Sequence, residues 1–158
     1  MSFPVRAFQV CDIGEIKKGQ FFLLGQDWYL AVEYVGQSNQ SFSAVRVTST
    51  DNTQGTIWTD IDQRYKVLRI ASPFTTEVHS DIFPERAPDS PVYTSLFIGN
   101  EPLIFAKLGI EDLLFTISGA KLPDLRSMLR APTFQKWQLW IATADGTKIG
   151  NEPLFTVG

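Results

Sequence analysis

Apolar and polar side chains alternate at every second position over most of this chain, and a period of two is typical of strands in a pleated sheet. Trp28, Leu30 and Val32 share one face of a predicted strand, whereas Tyr29 lies on the other face. The same alternation predicts further short strands over residues 42–47, 55–59, 65–70, 92–98, 103–108, 112–118 and 134–143. Short strands separated by glycine-containing turns indicate a mainly β fold, with a small antiparallel barrel or sandwich at its amino-terminal end.

Prolines separate the two groups of strands, at positions 73, 84, 88 and 91. The residue before a proline favours extended backbone, and proline itself cannot donate to a sheet. We therefore expect residues 73–91 to form an extended connector, because this segment is long for a loop inside one compact domain. The chain would then divide into a small β-barrel over residues 1–72 and a second β-rich domain over residues 92–158.

One short helix is predicted near residues 123–130, inside the second domain. Pro123 suits the first turn of a helix, and Asp124 beside it complements the positive end of the helix dipole. Apolar side chains follow at helical spacing, and Pro132 ends the segment.

The hexapeptide Ile-Gly-Asn-Glu-Pro-Leu occurs twice, at residues 98–103 and 149–154. Gly-Asn followed by Glu-Pro is typical of turns, so the repeat predicts one strand–turn–strand connector used twice. The alternative is a function for Glu101 and Glu152 at two equivalent loop tips. The residues that flank the two copies differ, which argues against a solenoid or a propeller.

Residues 14–70 resemble an SH3-like small β-barrel. The resemblance is carried by residues 16–22 (Ile-Lys-Lys-Gly-Gln-Phe-Phe), Gly25, 28–32 (Trp-Tyr-Leu-Ala-Val), 44–47 (Ala-Val-Arg-Val), 55–58 (Gly-Thr-Ile-Trp) and Val67. This pattern is similar to the first domain of translation elongation factor P, to KOW-type barrels and to small barrels of phage structural proteins. The elongation-factor resemblance implies a basic surface and further oligonucleotide-binding barrels, whereas the phage resemblance implies a structural role. A likeness of fold assigns no functional residue, and residues 92–158 resemble no family.

Charge and composition narrow the partners that we expect. The chain has 14 basic and 17 acidic side chains, a net charge of −3. Residues 1–72 carry seven of each sign, so neither this part nor the remainder has the basic surplus that favours nucleic-acid binding. No apolar run approaches the roughly 18 residues that span a bilayer, and the amino terminus lacks the apolar core of a signal peptide. We expect no membrane partner, no secretion by a signal peptide, and a place in the cytoplasm or in an assembled particle.

Few side chains are suited to catalysis or metal binding. In an extended segment, Glu77 and Asp81 would project from the same face as His79, and one histidine with two carboxylates is a known metal-ligand set. Sites of that class usually recruit a second histidine, and this sequence has only one. Cys11 lies in an apolar stretch that favours a small core residue over a nucleophile. We expect a protein that is not an enzyme, with no catalytic residue, metal or cofactor.

Three large aromatic residues lie out of phase with the nearest apolar stripe, and these are Tyr29, Trp58 and Trp140. Burial between two domains, contact with a partner protein, and stacking on bases or sugars each account for such a placement. All three explanations stay open from the sequence. As the candidate site we take the second explanation, in which these three residues bind a protein partner.

Together these observations predict a non-catalytic protein-interaction or structural subunit of a larger assembly, such as a phage or particle component. It would bind protein partners or copies of itself through outward aromatic residues and strand edges. One alternative is a nucleic-acid-binding small barrel. That function would need six cations gathered beside Trp58, which are Lys17, Lys18, Arg46, Arg64, Lys66 and Arg69. A second alternative is a small enzyme or metal-binding protein that uses His79.

Overall fold

The computed structural model describes residues 5–33, 35, 43–59, 62, 64–78, 92–123 and 132–158. Within these residues the protein is mainly β, which confirms the class that the alternation predicts. Two 3₁₀ turns, Val5–Ala7 and Ile13–Glu15, are its helical pieces. The strands are β1 (Phe8–Asp12), β2 (Phe21–Leu24), β3 (Asp27–Val32), β4 (Ser43–Arg46), β5 (Ile57–Trp58), β6 (Lys66–Ile70), β7 (Phe74–Val78), β8 (Leu96–Ile98), β9 (Pro102–Leu108), β10 (Glu111–Thr116), β11 (Thr133–Phe134), β12 (Trp137–Ile141) and β13 (Phe155–Val157). In this described part, no helix is long and apolar enough to span a bilayer.

The strands form three antiparallel sheets. The first sheet has the order β1-β6-β2-β3-β4-β5, so β2 to β5 form a meander and β6 lies between β1 and β2. The second sheet has the order β10-β9-β8-β11, and the third has the order β13-β12-β7. The β2–β3 hairpin turns at Gly25, whose φ of +65° is a left-handed conformation that glycine adopts without steric cost.

One buried apolar cluster joins the three sheets. Phe21 and Leu30 contribute to it from the first sheet, Ile104 and Phe115 from the second, and Trp137 from the third. Each of these side chains is fully buried, and burial of one large apolar side chain contributes about 1.5–3 kcal/mol. The cluster therefore draws on residues from both sides of the predicted connector.

The second face of the first sheet is apolar as well. Its buried side chains are Cys11, Ile13, Ile16, Phe22, Ala31, Ala44 and Val67. Neighbouring residues of a strand point to opposite faces, so Phe21 enters the shared core while Phe22 enters this second cluster. An aromatic residue that is out of phase with the core can therefore pack on a second apolar face.

The segment predicted as a connector contributes a strand at its start. β7 pairs with β12 from Phe74 opposite Ile141 to Val78 opposite Trp137. This pairing satisfies backbone groups that an isolated connector would leave to solvent. Residues 79–91 and most of the predicted helix near 123–130 lie outside the described residues, and the division into two domains stays a prediction.

Both copies of the repeated hexapeptide lie at turns. The first copy closes the hairpin in which Ile98 of β8 faces Pro102 of β9. The second copy follows the antiparallel bridge between Ala142 and Lys148 and leads into β13. Gly150 in this copy has a φ of +92°, which a residue with a side chain rarely adopts. The repeat thus serves as a connector in two different turns.

Candidate functional site

Two of the aromatic residues predicted to bind a partner lie side by side on the second face of the first sheet. Tyr29 lies on β3 and Trp58 on β5, and their ring centroids are 5.7 Å apart. The strand between them is β4, whose Ala44 lies opposite Trp58 in the register. Because alanine is small, the indole of Trp58 can lie across β4 and reach the ring of Tyr29.

Tyr65 extends this pair into a surface of three rings, which we call the aromatic patch (Tyr29, Trp58 and Tyr65). The ring centroids of Tyr65 and Trp58 are 6.2 Å apart, and Tyr65 is 49% exposed. Tyr29 and Trp58 are half-buried. Phe22 is fully buried and stacks on Tyr29 with a centroid separation of 5.4 Å. The patch therefore has a rigid buried base and an open end.

Tyr65 is the residue of this patch that sequence reasoning missed. It opens the predicted strand 65–70, and that position does not show which ring it would contact. Its place is fixed by a long-range contact, because the backbone N–H of Ile13 donates to the carbonyl of Tyr65 at 2.9 Å. The signal that could have found it is a tyrosine directly after Arg64, because tyrosine and arginine are both enriched at protein interfaces.

Of the six cations considered for nucleic-acid binding, three form ion pairs in the described part of the chain, whereas Arg69 donates to the side-chain oxygen of Gln9 at 3.0 Å and no ion pair involves Lys17 or Lys18. The pairs are Arg46 with Asp27 and Asp51, Arg64 with Asp62, and Lys66 with Asp12. Nucleic-acid binding would need these cations to contact phosphates instead. A cation that already neutralises a carboxylate gives up that contact when it binds phosphate, so the pairing weakens the electrostatic gain that such binding depends on.

Burial and hydrogen bonding set the protonation states around the patch. Burial raises the pKa of Tyr29 above its ordinary value, so the phenol is neutral at pH 7. Hydrogen bonds from Arg64 lower the pKa of Asp62 to about 2, and a hydrogen bond from Ser49 is the main cause that lowers the pKa of Asp51 to about 2. The patch is thus an aromatic surface bordered by ion pairs.

Trp140, the third predicted residue, lies apart from the aromatic patch. It is half-buried on β12 of the third sheet, and the ammonium of Lys148 lies 4.4 Å from its ring centroid. Lys148 also pairs with Glu77, and the indole N–H of Trp140 donates to Gln138 at 3.3 Å. One face of this ring already has a cation as its partner.

The residues considered for catalysis do not converge on a site in the described structure. Cys11 is buried, and burial raises the pKa of its thiol, so the nucleophilic thiolate is scarce at neutral pH. His79 and Asp81 lie outside the described residues. Among the residues that are described, no group of three or more His, Cys, Asp and Glu side chains is placed to hold a metal ion.

A polar cleft of about 450 Å³ lies on another part of the surface, and sequence reasoning did not find it. Four stretches of the chain line it, namely residues between 47 and 54, 92–94, 135–136 and 156–158. They follow β4, precede β8, connect β11 to β12, and end β13. Only the tertiary structure brings these distant stretches together, which is why no local motif marks the polar cleft.

Two lining residues of the polar cleft other than glycine have left-handed backbone. Asn52 has a φ of +61° and Thr94 a φ of +68°, and they are the non-glycine residues with positive φ in the described part of the chain. For a β-branched residue such as threonine this conformation is a genuine outlier, which costs about 1–3 kcal/mol. Such strain persists only where surrounding contacts impose it.

Comparison of the chain with protein-family models, with curated protein sequences and with solved structures gives no match. The functional conclusion below therefore depends on the geometry of the aromatic patch and of the polar cleft.

Proposed function

We propose that this protein is a non-catalytic protein-interaction subunit and that the aromatic patch is its docking surface for a protein partner. The observation that carries the proposal is the continuous ring contact from Phe22 through Tyr29 and Trp58 to Tyr65. Its inner end is fully buried and its outer end is 49% exposed. Rings held by buried neighbours lose little conformational entropy when a partner covers them, so most of the burial energy favours binding.

The arrangement of charges favours a protein over a nucleic acid as the partner. Arg64 and Lys66, on either side of Tyr65, both pair with carboxylates. Protein interfaces combine a desolvated aromatic centre with a polar rim, and paired charges at the border of the patch match such a rim. A phosphate-binding surface would present unpaired cations beside the rings.

We also propose that residues 14–70 form an SH3-like barrel. The meander from β2 to β5 supports the barrel, since small barrels are built from consecutive short antiparallel strands. The partner would then belong to a larger assembly, such as a phage or another particle, either in the cytoplasm or in the assembled form.

The test compares three variants of the full chain as baits against proteins of the native source. Trp58→Ala and Tyr65→Ala remove patch rings, and Trp140→Ala removes a half-buried tryptophan of another sheet as the matched control. A photo-crosslinking residue at position 65 identifies the protein in contact. We expect one protein to crosslink, and its affinity for Trp58→Ala to fall about 30-fold or more, because interface aromatic residues often contribute about 2 kcal/mol or more.

The results of this test distinguish protein docking from self-association and from nucleic-acid binding. A complex that survives in Trp140→Ala and is lost in Trp58→Ala supports the patch as a docking surface, and a crosslink to a second copy identifies self-association. Equal losses in the two tryptophan variants contradict the proposal. Binding to single-stranded oligonucleotides that weakens steeply with salt, and that Trp58→Ala abolishes, would instead support the nucleic-acid alternative.

A further inference from the structure

The polar cleft carries side chains whose hydrogen-bonding capacity is unused. Asn52, Gln54, Gln135 and Lys136 line it, and their side chains have no hydrogen bond or ion pair within the described part of the chain. The cleft volume of about 450 Å³ lies within the range of small-molecule sites, which is about 300–1,000 Å³. The unused groups are therefore three amides and one ammonium around a space that can hold a small ligand.

Neighbouring hydroxyl groups, by contrast, are used to hold the walls of the cleft in place. The hydroxyl of Thr48 accepts a hydrogen bond from the backbone N–H of Trp28 at 2.9 Å. The hydroxyl of Ser49 accepts from the backbone N–H groups of Asp51 and Thr53, at 3.2 and 3.0 Å. The backbone of the loop that carries Asn52 and Gln54 is thus held from within, and both residues line the cleft.

The strained backbone of Thr94 is held by contacts with the core. Its N–H donates to the carbonyl of Phe105 at 2.7 Å, and its own carbonyl accepts from the indole N–H of Trp137 at 2.9 Å. Strained backbone that is held by surrounding contacts in this way is often found at sites that bind a ligand. Asn52, the other non-glycine residue with left-handed backbone in the described part of the chain, lines the same cleft, although asparagine adopts this conformation more readily than threonine.

The chemistry of the free groups defines the ligand class. A carboxamide presents a donor and an acceptor in one plane, which matches a hydroxyl group because a hydroxyl also donates and accepts. Lys136 is the single charged side chain among the lining residues, and it favours an anionic group. Val92, which is 49% exposed, adds an apolar wall that suits the C–H face of a ring. We propose that the polar cleft binds an acidic saccharide, with the carboxylate at Lys136 and the hydroxyl groups at the amides.

The experiment is a titration of the ¹⁵N-labelled full chain with trigalacturonate, with uncharged maltotriose, and with a blocked glycine tripeptide. The side-chain NH₂ signals of Asn52, Gln54 and Gln135 report directly on the proposed contacts. We expect saturable shifts of these signals with trigalacturonate at a Kd of about 1 mM or tighter, and weaker binding of maltotriose.

Matched variants separate the proposed contacts from general charge effects. Lys136→Ala should weaken trigalacturonate binding about tenfold and leave maltotriose unchanged, because one charge-assisted hydrogen bond is lost. Gln54→Ala should weaken both saccharides. Lys148→Ala, which removes a lysine outside the cleft, should leave both affinities within about twofold.

Three results would overturn the inference: no saturable shift of the three NH₂ signals, equal losses for the two lysine variants, or tighter binding of the tripeptide than of either saccharide. Trp58→Ala should retain saccharide binding, so failure of the protein-docking proposal and failure of this one are distinguishable.

Discussion

The pairing of Arg46 with Asp27 gives the sharpest test of how this fold is stabilised. Asp27 is only 6% exposed, and its Oδ2 accepts hydrogen bonds from the guanidinium of Arg46, one of them 3.1 Å from Nε. Its Oδ1 is buried without a hydrogen-bond partner in the described part of the chain. The buried negative charge of Asp27 is therefore compensated by Arg46 alone in the described part of the chain.

The substitution Arg46→Met keeps the aliphatic stem and removes the charge. Loss of one partner of a buried ion pair costs about 3–5 kcal/mol, because the remaining charge is uncompensated. The side chain of Arg46 is 20% exposed, so water reaches the vacated position and reduces the cost. We expect the free energy of unfolding to fall by about 2–3 kcal/mol.

The double substitution Asp27→Asn with Arg46→Met should be less destabilising than Arg46→Met alone, since a buried amide carries no charge penalty. Urea unfolding followed by tryptophan fluorescence and by circular dichroism measures both changes.

The control is Arg64→Met, which breaks an arginine–aspartate pair whose arginine side chain is 90% exposed. Its effect on the urea midpoint should be small, because exposed ion pairs contribute little to stability. If Arg46→Met and Arg64→Met shift the midpoint equally, or if the double variant is the least stable of all, the argument from burial is wrong.

Two further predictions concern the cost of replacing glycines with positive φ and the titration of Asp51. A Cβ on Gly55 would lie 2.4 Å from Cβ of Tyr93, whereas one on Gly146 meets nothing within 4 Å, and both glycines have positive φ. Gly146→Ala should cost about 1–2 kcal/mol and Gly55→Ala about 2–5 kcal/mol in urea unfolding, and equal costs would contradict the steric account. Since the pKa of Asp51 is lowered from 3.8 to about 2, its stabilisation is present above pH 4 and is lost as the pH falls towards 2. Carboxyl-carbon NMR should show this low midpoint and its rise in Ser49→Ala, and a midpoint near 3.8 in the parent chain would contradict the hydrogen-bond assignment.

The sequence by itself determined the class of this fold. A hydrophobic pattern with a period of two residues puts neighbouring side chains on opposite faces of a strand. That local rule predicts strands such as β3 and β6 without knowledge of the strands they pair with. It also identified Tyr29 and Trp58 as out of phase with the core. Glycine positions such as Gly25 marked turns, because a left-handed backbone is a property of a single residue.

Only the tertiary structure decided which elements meet. Strand pairing depends on the entropy cost of closing the loop between two strands and on packing across many residues. β7 therefore pairs with β12 although no local sequence pattern relates them. The same holds for the aromatic patch, where register places Trp58 opposite Ala44 and a hydrogen bond from Ile13 positions Tyr65. The polar cleft is formed by stretches from distant parts of the chain, and its amides are ordinary surface residues until folding places them around one space.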